Sequence, residues 1–126
     1  MSSPISIRPL TGATPEAVMA ELPSMGLVFL YKHSFRCGAS LLAREVVEAF
    51  AASRPDVPVF QLDVIAQRPV SQALATLLRI RHASPQAILL RNHQPVWSAT
   101  HSRITASALN AAVAGDPGES TGRRAS

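Results

Sequence analysis

Cysteine is nearly missing from this chain of 126 residues, which has one, Cys37. A single cysteine cannot form an internal disulfide framework, and it cannot supply a zinc site built from several thiolates. Aromatic residues are scarce, with one Trp and one Tyr, and charged residues make up only 16% of the chain. Long apolar runs are lacking as well. The longest, Gly26 to Tyr31, falls far short of the roughly 20 residues a bilayer requires. Residues 1–10 hold Pro and Ser around Arg8 with no apolar centre, so no secretory signal is read there. These absences predict a soluble, cytoplasmic chain with no membrane partner, in which the thiol stays reduced.

What is present is a folded domain's worth of apolar residues. Hydrophobic residues make up 47% of the chain, which excludes intrinsic disorder and suits one domain with its own core. The basic surplus lies within residues 25–114, where nine Lys and Arg stand against four Asp and Glu. Arginines and aromatics do not interleave, so no nucleic-acid platform is expected. A basic fold can attract acidic ligands, and charges scattered in this way also fit a plain solvated, mildly basic surface.

Residues 1–13 read as a flexible arm, 14–114 as the domain, and 115–126, rich in Gly and Ser, as a disordered tail. Thr14-Pro15-Glu16 is a helix start, with a capping hydroxyl, Pro in the first turn and an acid at the positive end of the helix. Gly26 to Tyr31 is a strand buried on both faces. Leu41, Leu42, Val46, Ala49 and Phe50 fall at helical spacing between Gly38 and Ser53. Val57 to Val64 is a second strand, and Pro69 opens a helix that ends near Ile80. Gln86–Arg91 and Pro95–Thr100, joined through Asn92-His93-Gln94, form a hairpin. Ile104 to Val113 closes the chain as a helix capped by Ser102 or Thr105. A right-handed crossover makes the first two strands parallel, and the hairpin adds an antiparallel pair. The outline is α/β and thioredoxin-like: a central four-stranded mixed sheet flanked by helices, with an extra helix at the N-terminus.

Cys37 falls between the first strand and the long helix. A helix start favours an anion through its unpaired N–H groups and its dipole, and thiol chemistry needs the thiolate. Lys32 and Arg36 are expected to add positive charge and His33 a potential one, with His33 also placed to tune or shuttle the thiol proton, and the backbone at Gly38 to add N–H donors. Ser40 stands three residues on, where a dithiol enzyme has its resolving cysteine, so Cys37 would act as a single thiol with the Ser40 hydroxyl donating to it. A lone cysteine can also be an inert apolar filler, but the flank from Lys32 to Ser40 is polar and basic. Ser84-Pro85, just before a strand, is either an ordinary trans turn proline, the commoner case, or a cis bond; in a thioredoxin-like arrangement its Ser84 backbone would pair with an incoming chain. Of the remaining histidines, His82 is placed near that loop, His93 in a turn and His101 at a helix entry. Asp63 either acts as a buried acid or caps the turn after it. No His pair has metal-site spacing, so no metal is expected.

These segments together resemble the monothiol bacilliredoxin family. The matching pieces are Lys32-His33-Ser34, Cys37-x-x-Ser40, Leu62-Asp63-Val64 with Arg68-Pro69-Val70-Ser71, Arg81-His82-Ala83-Ser84-Pro85-Gln86, and Val96-Trp97 followed by His101-Ser102-Arg103-Ile104-Thr105. The resemblance spans about residues 24–113 and implies a thioredoxin-like fold. It further implies that Cys37 removes a low-molecular-weight thiol, bacillithiol or a similar molecule such as glutathione, from S-thiolated client proteins. Arg81, Ser84, Pro85 and Gln86 would then meet the substrate, and Ser34 would support the thiolate. The small thiol is a co-substrate rather than a bound cofactor, a second small thiol or a disulfide reductase regenerates Cys37, and the chain is expected to act as a monomer. One departure stands out: the family usually has Pro after the active cysteine, and this chain has Gly38. Cys37-Gly38-Ala39-Ser40 also resembles the Cys-Gly-Phe-Ser motif of monothiol glutaredoxins, which carry iron–sulfur clusters with glutathione. That carrier and a thioredoxin-like binding module with an inert thiol are the alternative functions.

Overall fold

The computed structural model describes residues 7–36 and 38–115. In chain order the elements are β1 (Ile7–Pro9), α1 (Pro15–Glu21), β2 (Leu27–His33), α2 (Gly38–Ser53), β3 (Val59–Asp63), α3 (Arg68–Leu78), β4 (Gln86–Arg91), β5 (Gln94–Thr100), a 3₁₀ turn (His101–Arg103) and α4 (Ala106–Ala114). The strands form one sheet in the order β1-β3-β2-β4-β5. β1, β3 and β2 run parallel, while β4 is antiparallel to β2 and β5 to β4.

The caps follow from residue chemistry. The Thr14 hydroxyl accepts the Ala17 N–H at 3.0 Å to open α1, and the Thr105 hydroxyl accepts the Ala108 N–H at 3.1 Å to open α4. Of the two expected caps for α4, Thr105 is the one used. Asn92 and His93 have φ of 50° and 69°, the left-handed pair that a two-residue hairpin turn needs.

Two expectations change. The sheet has five strands rather than four, because Ile7–Pro9, read as part of a flexible arm, pairs in parallel with Val59–Gln61. Buried Ile7 and Leu10 anchor that edge, and the Leu10 N–H donates to the Gln61 carbonyl at 2.8 Å. Three residues ending in Pro carry no readable periodicity, and Pro is tolerated there because the strand is at the edge. β2 also runs two residues further than expected, so Lys32 and His33 lie inside a buried strand. Residues 1–6 of the arm and all but Gly115 of the tail lie outside the described residues.

Strand alternation divides the core. Phe29 and Tyr31 face α2 and α4 with Val47, Phe50 and Leu109, and the Phe29 and Phe50 rings meet edge to face at 5.2 Å. Val28 and Leu30 face α1 and α3 with Val18, Leu62, Leu74 and Ile88. Both faces of β2 are therefore covered, which fixes its position and brings its C-terminal end to the start of α2.

Candidate active site

At that end of the sheet, β2 stops at His33, Ser34–Arg36 make a turn, and α2 begins at Gly38. Cys37 lies between them in sequence and outside the described residues. The residues that flank it in sequence are tied to one another. The Ser34 N–H donates to the Ser40 hydroxyl oxygen at 3.3 Å, which ties the end of the strand to the first turn of α2. The Arg36 N–H in turn donates to the Ser34 hydroxyl at 3.3 Å. Ser40 is fully buried and Ser34 nearly so, whereas Arg36 and Gly38 are exposed.

Tyr31 and His33 share the α2 side of β2, two residues apart. The Tyr31 hydroxyl donates to the Ser40 carbonyl at 3.1 Å. A phenol has one hydrogen, so the 3.1 Å contact between that oxygen and His33 Nδ1 is donated by the imidazole. This fixes the neutral tautomer: Nδ1 carries the hydrogen and Nε2 bears the lone pair. Nε2 is buried with no hydrogen-bond partner among the described residues, and the Phe35 ring stands edge-on to the imidazole at 4.3 Å. Burial pushes the His33 pKa down, the Arg44 charge adds to this, and Asp63 opposes it. The lowered pKa favours the neutral imidazole, where the sequence offered His33 as a potential positive charge. Tyr31 had no sequence signal of its own. Only its i, i+2 relation to His33 on a strand would have marked it.

Lys32 departs from expectation in another way. Alternation sends it to the α3 side of β2, and its Nζ donates to the Ser71 carbonyl of α3 at 3.1 Å. Its burial is complete, and desolvation lowers its pKa to about 8. Nζ therefore lies on the opposite face of the sheet from the start of α2.

The Ser84–Pro85 bond is cis. Gln86 pairs with Lys32, so Pro85 follows directly at the end of β2. The His101 N–H donates to the Pro85 carbonyl at 3.1 Å, whereas the Ser84 backbone makes no hydrogen bond among the described residues. Gln86 is buried and its Nε2 donates to the Arg81 carbonyl at 2.9 Å, so it holds the loop rather than facing solvent. The Arg81 side chain is exposed. Asp63 caps the turn after β3, its Oδ1 accepting from the N–H groups of Ile65 at 2.9 Å and Ala66 at 3.0 Å. His93 contacts the Leu22 carbonyl at 3.1 Å in its turn, at the other end of the sheet.

His101, read only as a helix entry, lies closer to this site than sequence suggested. With φ of 54° it holds a left-handed conformation, and it lines a cleft of about 250 Å³ with Ala39, Leu42, Ala43, Val46, Ser102 and Ile104. Phe35, Leu41, Leu42 and Ile65 are exposed apolar residues at the same end of the sheet. Among the described residues no three His, Cys, Asp or Glu side chains cluster as a metal site, and no helix is long and apolar enough to cross a membrane.

A parallel-plus-hairpin sheet, a cis-proline loop beside a helix start, and a lone cysteine in that junction define a thioredoxin-fold thiol oxidoreductase. Solved structures agree on the fold. A thioredoxin-fold protein named for a proposed oxidoreductase activity is 30% identical, with 85% of this chain and 93% of that one covered at a TM-score of 0.74. A thioredoxin variant from Halobacterium salinarum is 21% identical over 90% of this chain and 92% of that one, at a TM-score of 0.67. A thioredoxin from Nicotiana alata is 18% identical over 90% and 95%, at 0.68. Residues 11–109 match the family described as monothiol bacilliredoxin BrxC, and the chain belongs to that family.

Proposed function

We propose that the chain removes a low-molecular-weight thiol, bacillithiol or a close analogue, from mixed disulfides on client proteins, with Cys37 as the nucleophile. The Cys37 thiolate attacks the small-thiol sulfur, a new disulfide forms between them, and the client sulfur leaves as a thiolate that takes a proton. A second small thiol, or a reductase thiol, then attacks the same small-thiol sulfur and returns Cys37 as thiolate. Each step is an exchange, so no other oxidant or reductant is consumed.

The observation that carries this reading is Ser40. It occupies the place of a resolving thiol, is buried, and is held by Ser34, so Cys37 has no second cysteine to close on. The Ser40 hydroxyl oxygen accepts from Ser34, which leaves its hydrogen for an acceptor such as a thiolate. The apolar exposure of Phe35, Leu41, Leu42 and Ile65 supports a protein substrate rather than a free small disulfide. Arg36 and Arg81, both exposed, supply positive charge for the carboxylates of the small thiol. The unpaired Ser84 backbone suits strand-like alignment of the client chain.

The test is release of the small thiol from a single-cysteine protein carrying either bacillithiol or glutathione. Wild-type protein releases it and takes up the adduct at Cys37, visible by intact mass. Cys37→Ser abolishes both, and persistence of release in that variant would refute the reading. A coloured dimer after anaerobic reconstitution with iron, sulfide and glutathione would favour the cluster carrier instead.

A further inference from the structure

Lys32 is the only lysine in the chain, and it is fully buried. Besides the Ser71 carbonyl at 3.1 Å, its Nζ meets His82 Nδ1 at 3.4 Å, and Ser71 Oγ meets the same nitrogen at 3.3 Å. An ammonium only donates, so His82 Nδ1 is the acceptor and the neutral ring carries its hydrogen on Nε2. From β4, directly opposite Lys32, the Gln86 amide holds the Arg81 carbonyl at 2.9 Å. Side chains from β2, α3 and β4 thus grip two consecutive residues, Arg81 and His82. These lie in the middle of residues 79–85, which have no regular secondary structure and lead into Ser84 and Pro85.

Stability does not account for a buried lysine here. An apolar side chain of similar volume generally does as well or better in such a place. Holding a loop is a different matter, since an unpinned segment samples many conformations and a displacement of about 1 Å in a binding group can cost a hundredfold in rate.

We propose that Lys32 is a positioning residue: by anchoring His82 to α3 it fixes the segment before Pro85, and so the Ser84 backbone on which the client chain aligns. This rests on the function proposed above. The role differs from direct thiolate support, because Lys32 acts from the α3 side of the sheet through the loop. His82 is itself exposed; its protonation is disfavoured first by the partial desolvation of its ring and then by two cations, Lys32 from β2 and Arg68 from α3. The same face carries neutral Gln86 from β4 and apolar Leu62 from β3. Protonating His82 removes the acceptor and places a second positive charge beside Nζ, so acid releases the segment.

The experiment compares full-length wild type, Lys32→Met, His82→Ala and His82→Asn on the two thiolated proteins. The Cys37 thiolate pKa is read independently from the pH dependence of iodoacetamide alkylation, which needs no aligned client. Lys32→Met is expected to raise KM about tenfold or more while the alkylation pKa stays at the wild-type value. His82→Ala gives the same pattern and carries the test alone if Lys32→Met does not fold. His82→Asn, whose amide oxygen can accept from Nζ but does not titrate, recovers most of the loss and lacks the acid limb of the KM profile. An unchanged KM in Lys32→Met and His82→Ala overturns the proposal. So does a raised alkylation pKa with unchanged KM, which would make Lys32 a thiolate-supporting group. Turnover that survives in Cys37→Ser refutes the function itself, and is a separate result from any of these.

Discussion

The Ser34 N–H reaches across the cysteine to the Ser40 hydroxyl oxygen, at 3.3 Å, and both residues are buried. The bond joins the end of β2 to the first turn of α2 and so fixes the entry to the helix that follows Cys37. Ser40→Ala removes the acceptor and leaves a buried N–H unpaired, which costs about 1–3 kcal/mol. Urea denaturation is expected to show that loss, with a slower release of the small thiol. Ser40→Cys supplies the missing second thiol. Its oxidised form should titrate with no free thiol, whereas the wild type keeps one.

Acid should destabilise the fold through His33 and His82. Both have pKa values lowered from 6.5, in each case first by burial. Below about pH 6.5 the unfolded chain takes up protons that the folded chain does not, so stability falls as pH drops through that range and rises again toward pH 7. Thermal melts between pH 7 and pH 5 test this. A double variant, His33→Gln with His82→Asn, should flatten the slope.

Alkali should act in the opposite sense to what a surface lysine would give. The Lys32 pKa is lowered from 10.5 to about 8, so between those values the unfolded chain holds a proton that the folded chain has released. Stability attributable to this group therefore rises with pH across the window, by up to about 3 kcal/mol. The measured quantity is the difference between wild type and Lys32→Met. The NMR signal of Lys32 Cε, alone in its class, reports the midpoint directly.

Gly38 is the exposed first residue of α2. A Cβ built there meets nothing within 4 Å, and the residue is not in the left-handed region. Gly38→Ala should therefore raise stability by about 0.5–1 kcal/mol, by limiting the unfolded chain and favouring the helix. Differential scanning calorimetry would show the raised Tm.

His101 holds φ of 54° with its N–H on the Pro85 carbonyl. His101→Gly relieves a left-handed strain of about 1 kcal/mol, so the variant should be more stable. Thermal melts of the two proteins check this.

Much of this protein could be read from its residues alone. Thr14 with Pro15, the apolar run ending at Tyr31, and the helical spacing from Leu41 to Phe50 determine the order of elements, since capping and periodicity are local. The Cys37-x-x-Ser40 spacing and the Ser84-Pro85 loop marked a candidate site, since both are local motifs. Five strands instead of four lay beyond such reading, because Ile7–Pro9 becomes a strand only through its pairing with β3. So did the division of labour between Lys32 and His33. As neighbours on a strand they must face opposite ways, but which helix covers each face depends on the crossover and the packing of the whole sheet. Tertiary structure therefore decided that the neutral imidazole joins Tyr31 and Ser40 on the α2 side, and that the only lysine is spent holding the loop on the α3 side.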